Sequence, residues 1–473
     1  MNTEEQTYDG LIKACLGARE AILASREAVV VSHVDADGLS SAAIMCTALG
    51  RIGIDANPVF FKQLDGSALR SIADLNPNLT IFTDLGSGMI GEISELDIPA
   101  VVADHHRPSQ AGKHSQIAHI NPHLAGGDGS IQISGAGCAY LLARSLSPAN
   151  KDLAQLAVVG AVGDLQDQSQ RRLVGLNRRI LSDAQEAGLL AFGPDIRLFG
   201  RQTRPVWKML EYCQDPFLPG LSGDEEACIA FLKELGIRLG GERWRRWIDL
   251  DQGEKSRVAS ALMRHGLRAG LASQRLERLV GEVYTLLLER EGTELRDATE
   301  YSTLLNATAR YGHSRIGLAV LMGDRDQAFE DAQRLLGQHR QNLVNGIKLV
   351  REVGITPMQR VQFFDAGSAI TDTIVGIVAG LCFQMADRSK PLLAFADTPD
   401  GCLKVSARGT MELVHVGLDL SSAISRSAQA VGGVGGGHNV AAGATIPPHK
   451  KMEFLELMDR AIDAQMPRQA KPG

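Results

Sequence analysis

Three short apolar runs early in the chain end on acidic and imidazole side chains, and no other feature constrains the fold as tightly. VVVSHVDADG delivers His33, Asp35 and Asp37, TIFTDLGSG delivers Asp84, and PAVVADHHRP delivers Asp104, His105 and His106. Short β-branched runs alternating with longer helical patterns read as strands joined by helical crossovers, so the expected class is α/β with a mainly parallel sheet. The candidate strands are Ala28–Ser32, Pro58–Phe61, Leu79–Thr83 and Ala100–Ala103. In an open parallel sheet the ligand site lies beyond the carboxyl ends of the strands, so these side chains are expected to converge on one cleft although they are far apart in sequence.

In extended chain His33, Asp35 and Asp37 share one side, and Gly38 permits a tight exit into the next helix. The plainer reading is that Asp35 and Asp37 cap a helix starting near Leu39. A lone Asp after a strand is usually a turn or cap residue, and paired histidines are more often exposed than liganding. Gathered at one edge, however, these carboxylates repel one another and are poorly solvated unless cations neutralise them. Asp164, following the apolar stretch of VVGAVGDLQD, completes the set or is an ordinary loop carboxylate after a helix. Mixed carboxylate and imidazole donors without thiolates suit Mn²⁺ or Mg²⁺, with Zn²⁺ as the alternative. Two ions about 3.5–4 Å apart, sharing a carboxylate such as Asp84, would let a bridging hydroxide attack phosphorus, so the implied chemistry is phosphoester hydrolysis.

Composition narrows the setting. With 44% hydrophobic and 22% charged residues the chain can bury real cores, and 473 residues are enough for about two to three domains. The 49 basic and 55 acidic residues leave a net charge of -6, which excludes a basic nucleic-acid coat and requires any polyanion to be held by a local patch or by metal ions. The cysteines are scattered, with no C-x-x-C pair, which argues against a zinc ribbon or a secreted disulfide scaffold and for a reducing cytoplasm. No basic flank with an apolar run opens the chain, and no stretch of about 18 apolar residues occurs, so neither a signal peptide nor a membrane span is expected.

Farther along, all three tryptophans (Trp207, Trp244, Trp247) fall in a region of helical periodicity from about Leu190 to Thr299. Arg238, Arg243, Arg245, Arg246, Arg257, Arg264 and Arg268 lie there too, either to meet phosphates beside stacking tryptophans or as a solvated face paired with Glu242, Asp249 and Asp251. Asp324–Val353 suits one long helix or two short ones. LKVSARGT then places Ser406 and Arg408 on one side of a short strand, where both are able to meet an anion. GGVGGGHNVAAGA reads as a phosphate cradle, with Gly436 and Gly437 admitting close backbone approach and His438 beside it, or else as a flexible loop. The tail after Met466 is expected to fray.

Together these motifs resemble the DHH–DHHA1 phosphoesterase superfamily, whose naming triplet is here Asp104-His105-His106. HVDADG, TDLG, DHH and GDLQD follow the order and approximate spacing of its metal motifs, and SARG with GGGHNVAAG resembles its DHHA1 substrate-binding domain. The resemblance implies a parallel-sheet DHH catalytic domain over 1–189, a mainly helical insert over 190–323, a connector helix over 324–354 and a smaller mixed α/β DHHA1 domain over 355–473, with a cleft between the two α/β domains. It implies that His33, Asp35 and Asp84 hold one metal and that Asp37, Asp84, His105 and Asp164 hold the other, with His106 on the scissile phosphate and Asp104, His105 and His106 as the catalytic triplet. None of these positions departs from the pattern.

Within the superfamily the chain is most similar to archaeal RecJ-like single-strand exonucleases, including the nuclease that associates with the GINS replication complex. FLPGLSGDEEA, GEVYTL and LRDATEYSTLLNATARYG carry that likeness, and Asn306 and Arg310 match an NA-x-x-R element near the active site. The implied activity is a metal-dependent exonuclease using two divalent ions, Mn²⁺ or alternatively Mg²⁺, acting 5'→3' on single-stranded DNA, cytoplasmic, with GINS docking through the insert. The alternatives are an oligoribonuclease or cyclic-dinucleotide phosphodiesterase, a 3'→5' exonuclease on RNA and single-stranded DNA, and a replication scaffold with a degenerate site.

Overall fold

The apolar runs become neighbouring strands of one sheet. In this computed structural model, which describes residues 3–96, 98–109, 117–241 and 243–466, the strands β1 (Glu27–His33), β2 (Asp55–Phe61), β3 (Thr80–Thr83), β4 (Ala100–Ala103) and β5 (Ile117–Ile120) are all parallel, in the order β2-β1-β3-β4-β5. The chain steps from β1 outward to β2 and then returns to the other side of β1 as β3, so the strand order reverses between β1 and β3. An open α/β sheet leaves its ligand crevice at that reversal, beyond the carboxyl ends. Pro58 is tolerated because β2 is an edge strand. β5 goes unrecognised in the sequence because His119 interrupts its short apolar run.

The crossovers and flanks are helical: α1 (Thr3–Leu23), α2 (Ala36–Arg51), α3 (Gly66–Ala73), α4 (Ile90–Glu95), α5 (Gly135–Leu146), α6 (Ala154–Gly163) and α7 (Leu176–Glu186). α2, α5 and α6 pack against one another. Their sequences, ADGLSSAAIMCTALGR, GAGCAYLLARSL and AQLAVVGAVG, are rich in Gly, Ala and Ser, which lets the backbones come close.

The middle region is helical between two strands rather than helical throughout. β6 (Leu190–Ile196) and β7 (Val280–Leu286) pair antiparallel. Between them run α8 (Val206–Glu211), α9 (Glu225–Glu234), α10 (Gln252–Arg268) and α11 (Ser273–Leu276), around a core that includes Trp207, Leu232, Trp247 and Leu262. α12 (Ala298–Arg310) and α13 (Ser314–Leu321) return to pack on α2, and α12 also on α6. Glu242 and the tail after Met466 lie outside the described residues.

α14 (Gln327–Val353) is one continuous helix, and the division of the chain into two units, Met1–Arg334 and Leu335–Gly473, falls within it. The second unit holds β8 (Thr356–Pro357), β9 (Gln362–Asp365), β10 (Leu392–Asp397), β11 (Leu403–Arg408), β12 (Val434–Gly437) and β13 (Ala441–Ile446), with α15 (Val375–Cys382), α16 (Met411–His415), α17 (Leu420–Ala430) and α18 (Lys451–Gln465). Its mixed sheet runs β12-β13-β11-β10-β9-β8. Val405, Ala407, Ala442 and Ala444 are buried with Ile424, Phe454 and Met458 of α17 and α18, while Ala394 and Ala396 are buried with Val375 and Val378 of α15. No helix among the described residues is long and apolar enough to cross a membrane.

The glycine run is not a loop. Val434–Gly437 is the edge strand of this sheet, paired with Ala442–Thr445 of β13. A Cβ at Gly435 would stand 2.8 Å from Ile424 Cγ2 and 3.0 Å from the Ala444 Cβ, so that glycine serves the close approach of α17. Gly435→Ala is therefore expected to destabilise the second unit by about 1–3 kcal/mol, the usual range for overpacking. Urea unfolding followed by circular dichroism checks this, and an unchanged midpoint would refute it.

Candidate metal centre

Strand alternation does not bring the first three side chains together. His33 closes β1, Asp35 is the N-cap of α2, and Asp37 lies in the first helical turn. Asp35 Oδ1 accepts the Gly38 N–H at 2.9 Å, so it is a cap and remains able to turn its other oxygen toward His33 Nδ1 at 3.0 Å. Asp37 caps nothing in its own helix. Its Oδ2 and Oδ1 accept the N–H groups of Gly135 and Ala136 at 2.8 and 3.0 Å, so the N-terminus of α5 holds it. The turn is so close that a Cβ at Gly38 would lie 2.2 Å from the His33 carbonyl oxygen. Asn306, on α12, accepts the Ala36 N–H at 3.0 Å and so fixes this turn from the far side. Arg310, one turn along α12, feels the Asp35 charge, although burial lowers its guanidinium below the usual range.

Asp84 follows β3 with a left-handed φ of +58°, a conformation in which Asp is several-fold enriched among non-glycine residues. It is 2% exposed, and its Oδ1 has no hydrogen-bond partner among the described residues. Burial raises its carboxyl well above the ordinary range, and the charges of Asp37, Asp35, Asp104 and Asp164 push it the same way. Two glycines make room for these carboxylates. A Cβ at Gly135 would stand 2.4 Å from Asp84 Oδ1, and one at Gly160 would stand 2.4 Å from Asp37 Oδ1.

His105 Nδ1 donates to the Gly129 carbonyl at 2.7 Å, a partner that only accepts. Its Nε2 is thereby aimed at Asp84 Oδ1 (3.3 Å) and Asp37 Oδ2 (3.9 Å). Asp164 ends α6, and its Oδ2 lies 3.8 Å from His105 Nδ1. Gln166 ties the two together: its Nε2 donates to the Gly129 carbonyl at 2.9 Å and to Asp164 Oδ2 at 3.0 Å, and its Oε1 accepts from Asn177 at 2.7 Å. Leu165 between them takes φ +59°, an outlier for a bulky residue, and strain of this kind clusters at functional sites.

Asp104 has a different task from its neighbours. Its Oδ2 accepts the Ser87 N–H at 2.9 Å, and its Oδ1 accepts the His106 N–H at 3.1 Å and faces His106 Nδ1 at 2.8 Å. Both oxygens are thus engaged, and the carboxylate orients His106, whose side chain is 58% exposed. That hydrogen bond raises the His106 pKa, and burial only partly opposes it. Behind the triplet, Asn121 Nδ2 donates to Ser87 Oγ and to the His106 carbonyl, both at 2.8 Å, and Ser87 Oγ lies 2.8 Å from His119 Nε2. Sequence reading missed Ser87, His119, Asn121 and Gln166. Only the position of Ser87 and Gln166 inside the quoted motifs hints at them.

Three overlapping groups have ligand atoms within 4.8 Å of one another: His33, Asp35 and Asp84; Asp37, His105 and Asp164; and Asp84, Asp104, His105 and His106. A divalent cation fits them on three counts. Asp84 Oδ1 is a buried oxygen with no other partner, the glycines at 135 and 160 leave space for the carboxylates, and the donors are oxygen and nitrogen. Burial works to raise Asp35, but its hydrogen bond to His33 overcomes this and holds it below the ordinary range.

The remaining sequence candidates lie in the second unit. Ser406 pairs across the sheet with Gly443, and Gly443 with Gly436, so the three share one face. Ser406 and Arg408 approach the start of α15, where a Cβ at Gly376 would be 2.5 Å from Ser406 Oγ and 2.7 Å from Arg408 Nη2. His438 is exposed in the β12–β13 turn, its N–H donating to the Ala441 carbonyl at 2.8 Å, and Gly437 takes φ +140°.

The family model for the DHH family, N-terminal domain, matches residues 27–161, that for the DHH-CID domain matches 198–280, and that for the DHHA1 domain matches 359–464. An uncharacterized protein of Methanocaldococcus jannaschii is 31% identical over 444 residues, covering 93% of this chain and 94% of that one. The single-stranded-DNA-specific exonuclease RecJ of Thermus thermophilus is 27% identical over 189 residues, which is 37% of this chain but only 27% of RecJ. The crystal structure of that organism's RecJ with Mn²⁺ superposes with a TM-score of 0.58 at 19% identity, covering 98% of this chain and 55% of RecJ. CDC45 from Entamoeba histolytica superposes with a TM-score of 0.64 at 11% identity, covering 97% and 98% of the two chains.

The crowded carboxylates leave a signature in pH. Burial, reinforced by the Asp37 charge, lifts Asp164 from 3.8 to about 6. Between those values the folded chain holds a proton that the unfolded chain has released, so this group lowers stability as pH rises through the window. In metal-free solution Asp164→Asn is expected to have a higher urea midpoint than the parent at about pH 7 and to lose most of that advantage near pH 4. Equal differences at both pH values would refute it.

Proposed function

The chain belongs to the DHH–DHHA1 phosphoesterase superfamily, and from that premise we propose that it is a divalent-metal-dependent phosphodiester hydrolase, a RecJ-like exonuclease releasing mononucleotides from a single strand. The observation that carries the reading is the meeting of Asp84 Oδ1 with His105 Nε2. They stand 3.3 Å apart, Asp84 Oδ1 accepts no hydrogen bond among the described residues, and the ring's other nitrogen donates its N–H to the Gly129 carbonyl. Without an ion the neighbouring carboxylates raise the His105 pKa against the cost of burial, so a proton takes the place between the two atoms; a divalent cation that displaces it turns both into ligands and offsets more of the crowded negative charge.

In this reading His33, Asp35 and Asp84 hold one ion, and Asp37, Asp84, His105 and Asp164 hold the other, Mn²⁺ or alternatively Mg²⁺. Two such ions, when bound, would supply an activated hydroxide and offset the charge that develops on the phosphoryl oxygens. The chain's own groups do the rest. Asp104 holds the Nδ1 proton of His106, which favours the imidazolium and leaves Nε2–H to donate to a scissile-phosphate oxygen. Gly129 and Gln166 keep His105 and Asp164 in register. Asn306 steadies the turn that carries Asp35 and Asp37, with Arg310 beside it as a cation for the substrate. In the second unit, Ser406 and Arg408 beside Gly443, Gly436, Gly437 and His438 form a platform for another phosphate. The 5'→3' polarity on DNA, the cytoplasmic setting and GINS docking through residues 190–323 enter the proposal from the family resemblance.

A strand labelled at one end, offered as DNA and as RNA with Mn²⁺, tests this directly. Mononucleotides are expected from the start of the reaction. Because the ions contribute several kcal/mol, Asp84→Asn and His105→Ala are expected to lose at least about 100-fold in rate. Gln166→Ala, which touches no ion, is expected to weaken Mn²⁺ binding by about 10–100-fold in calorimetry. Undiminished hydrolysis in Asp84→Asn would sink the assignment, and a strong preference for dinucleotides would move it to the oligoribonuclease class.

A further inference from the structure

The arginines and tryptophans of the middle region look alike in sequence, and the fold separates them. Trp247 is 1% exposed, with its indole N–H on both Asp195 oxygens at 2.9 and 3.1 Å, so it belongs to the core. Arg245 is locked to Glu254 by two bonds of 2.8 and 2.6 Å, and Arg246 is tied to Asp249. Trp244, by contrast, is 49% exposed, and the side chain of Arg243 beside it is 70% exposed. Arg243 reaches Asp249 only at 3.3 Å, a surface pair that contributes little and that a phosphate is able to replace.

Other side chains extend this surface. A bridge between Pro205 and Arg246 lays Arg246 beside the start of α8, and a second bridge joins Gly240 to Trp244. Trp244 meets Trp207 edge-on with ring centroids 5.8 Å apart. Lys208 Nζ stands 5.3 Å from the Trp207 centroid and 5.7 Å from that of Tyr212. The Arg204 guanidinium stands 4.9 Å from Tyr212 and 4.7 Å from Phe199, and Tyr212 is 42% exposed. The result is an unbroken ladder of rings and cations, open at Trp244 and Tyr212. At the Trp244 end it adjoins an open groove of about 680 Å³ lined by Arg238, Gly240, Gly241, Arg243 and Arg245. Glu211 offsets part of the charge of Lys208 and Arg204 and Asp249 part of that of Arg243, and Arg238 and Arg243 are the exposed cations of this face among the described residues.

Half-exposed aromatic rings interleaved with cations are the hardware of sequence-tolerant single-strand binding, in which bases stack and phosphates follow a basic groove. We propose that this face is a strand-anchoring site separate from the metal ligands, on which Trp244 and Tyr212 stack bases of a single-stranded nucleic acid while Arg243, Arg238 and Lys208 hold its phosphates. The proposal deepens the exonuclease reading and rests on it for the substrate class.

Binding of oligo(dT) to the full chain in EDTA tests it, because no hydrolysis intervenes. Quenching of tryptophan emission and a rise in the anisotropy of a labelled strand are expected. Trp244→Ala is expected to weaken binding about tenfold, within the range for losing one stacked base. Arg243→Glu, on an exposed side chain whose surface pair with Asp249 contributes little to stability, is expected to weaken binding and to lower the salt slope by about one. Parental affinity in both variants would overturn the proposal, as would unquenched emission at saturation. A chain that binds in this way but releases no nucleotide with Mn²⁺ refutes hydrolysis and leaves the anchor standing. Normal hydrolysis with binding indifferent to both substitutions refutes the anchor alone.

Discussion

Like-charge repulsion in a buried crevice is the constraint that organises the catalytic half of this protein. Asp37 and Asp84 are almost wholly buried, and Asp35 and Asp164 crowd against them. Nothing in a hydrophobic core would assemble such a set spontaneously. The chain offsets part of the repulsion with backbone dipoles, lending the N-termini of α2 and α5 to Asp35 and Asp37, and part with imidazoles. What remains is centred on Asp84, whose orphaned oxygen is the strongest structural argument for a cation.

Much of this was legible because strand ends are legible. β-branched runs fixed β1, β3 and β4, and a parallel sheet delivers residues at the carboxyl ends of adjacent strands to one crevice whatever the intervening sequence. His33, Asp35 and Asp37 look like a strand alternation, but the strand stops at His33, and the other two reach the crevice from a helix cap and a first helical turn. A pattern of period two and a strand-to-helix turn give the same residues the same goal by different geometry.

The misreadings share one physical origin: sequence does not show what lies behind a residue. Glycines at 435–437 left a flexible loop open as an alternative to a phosphate cradle because glycine permits one, yet Gly435 is small so that α17 can lie against the sheet. Trp247 is no more recognisable than Trp244 as a core ring in the sequence, yet its indole donates to Asp195 inside a core. Gln166, Ser87, Asn121 and His119 act by holding other side chains, and hydrogen-bond partners a long way off in sequence leave no periodicity to read.

Gly135 and Gly160 carry an implication for descent. Each sits where any side chain would strike a carboxylate, Asp84 in one case and Asp37 in the other. Neither glycine is free to drift while its carboxylate remains, and even without it an added Cβ at Gly160 would stand 2.5 Å from the Ala136 Cβ. A lineage abandoning the chemistry should therefore lose its acids first and its glycines afterwards, and a bulky residue at either position in a distant cousin would mark a centre already silenced.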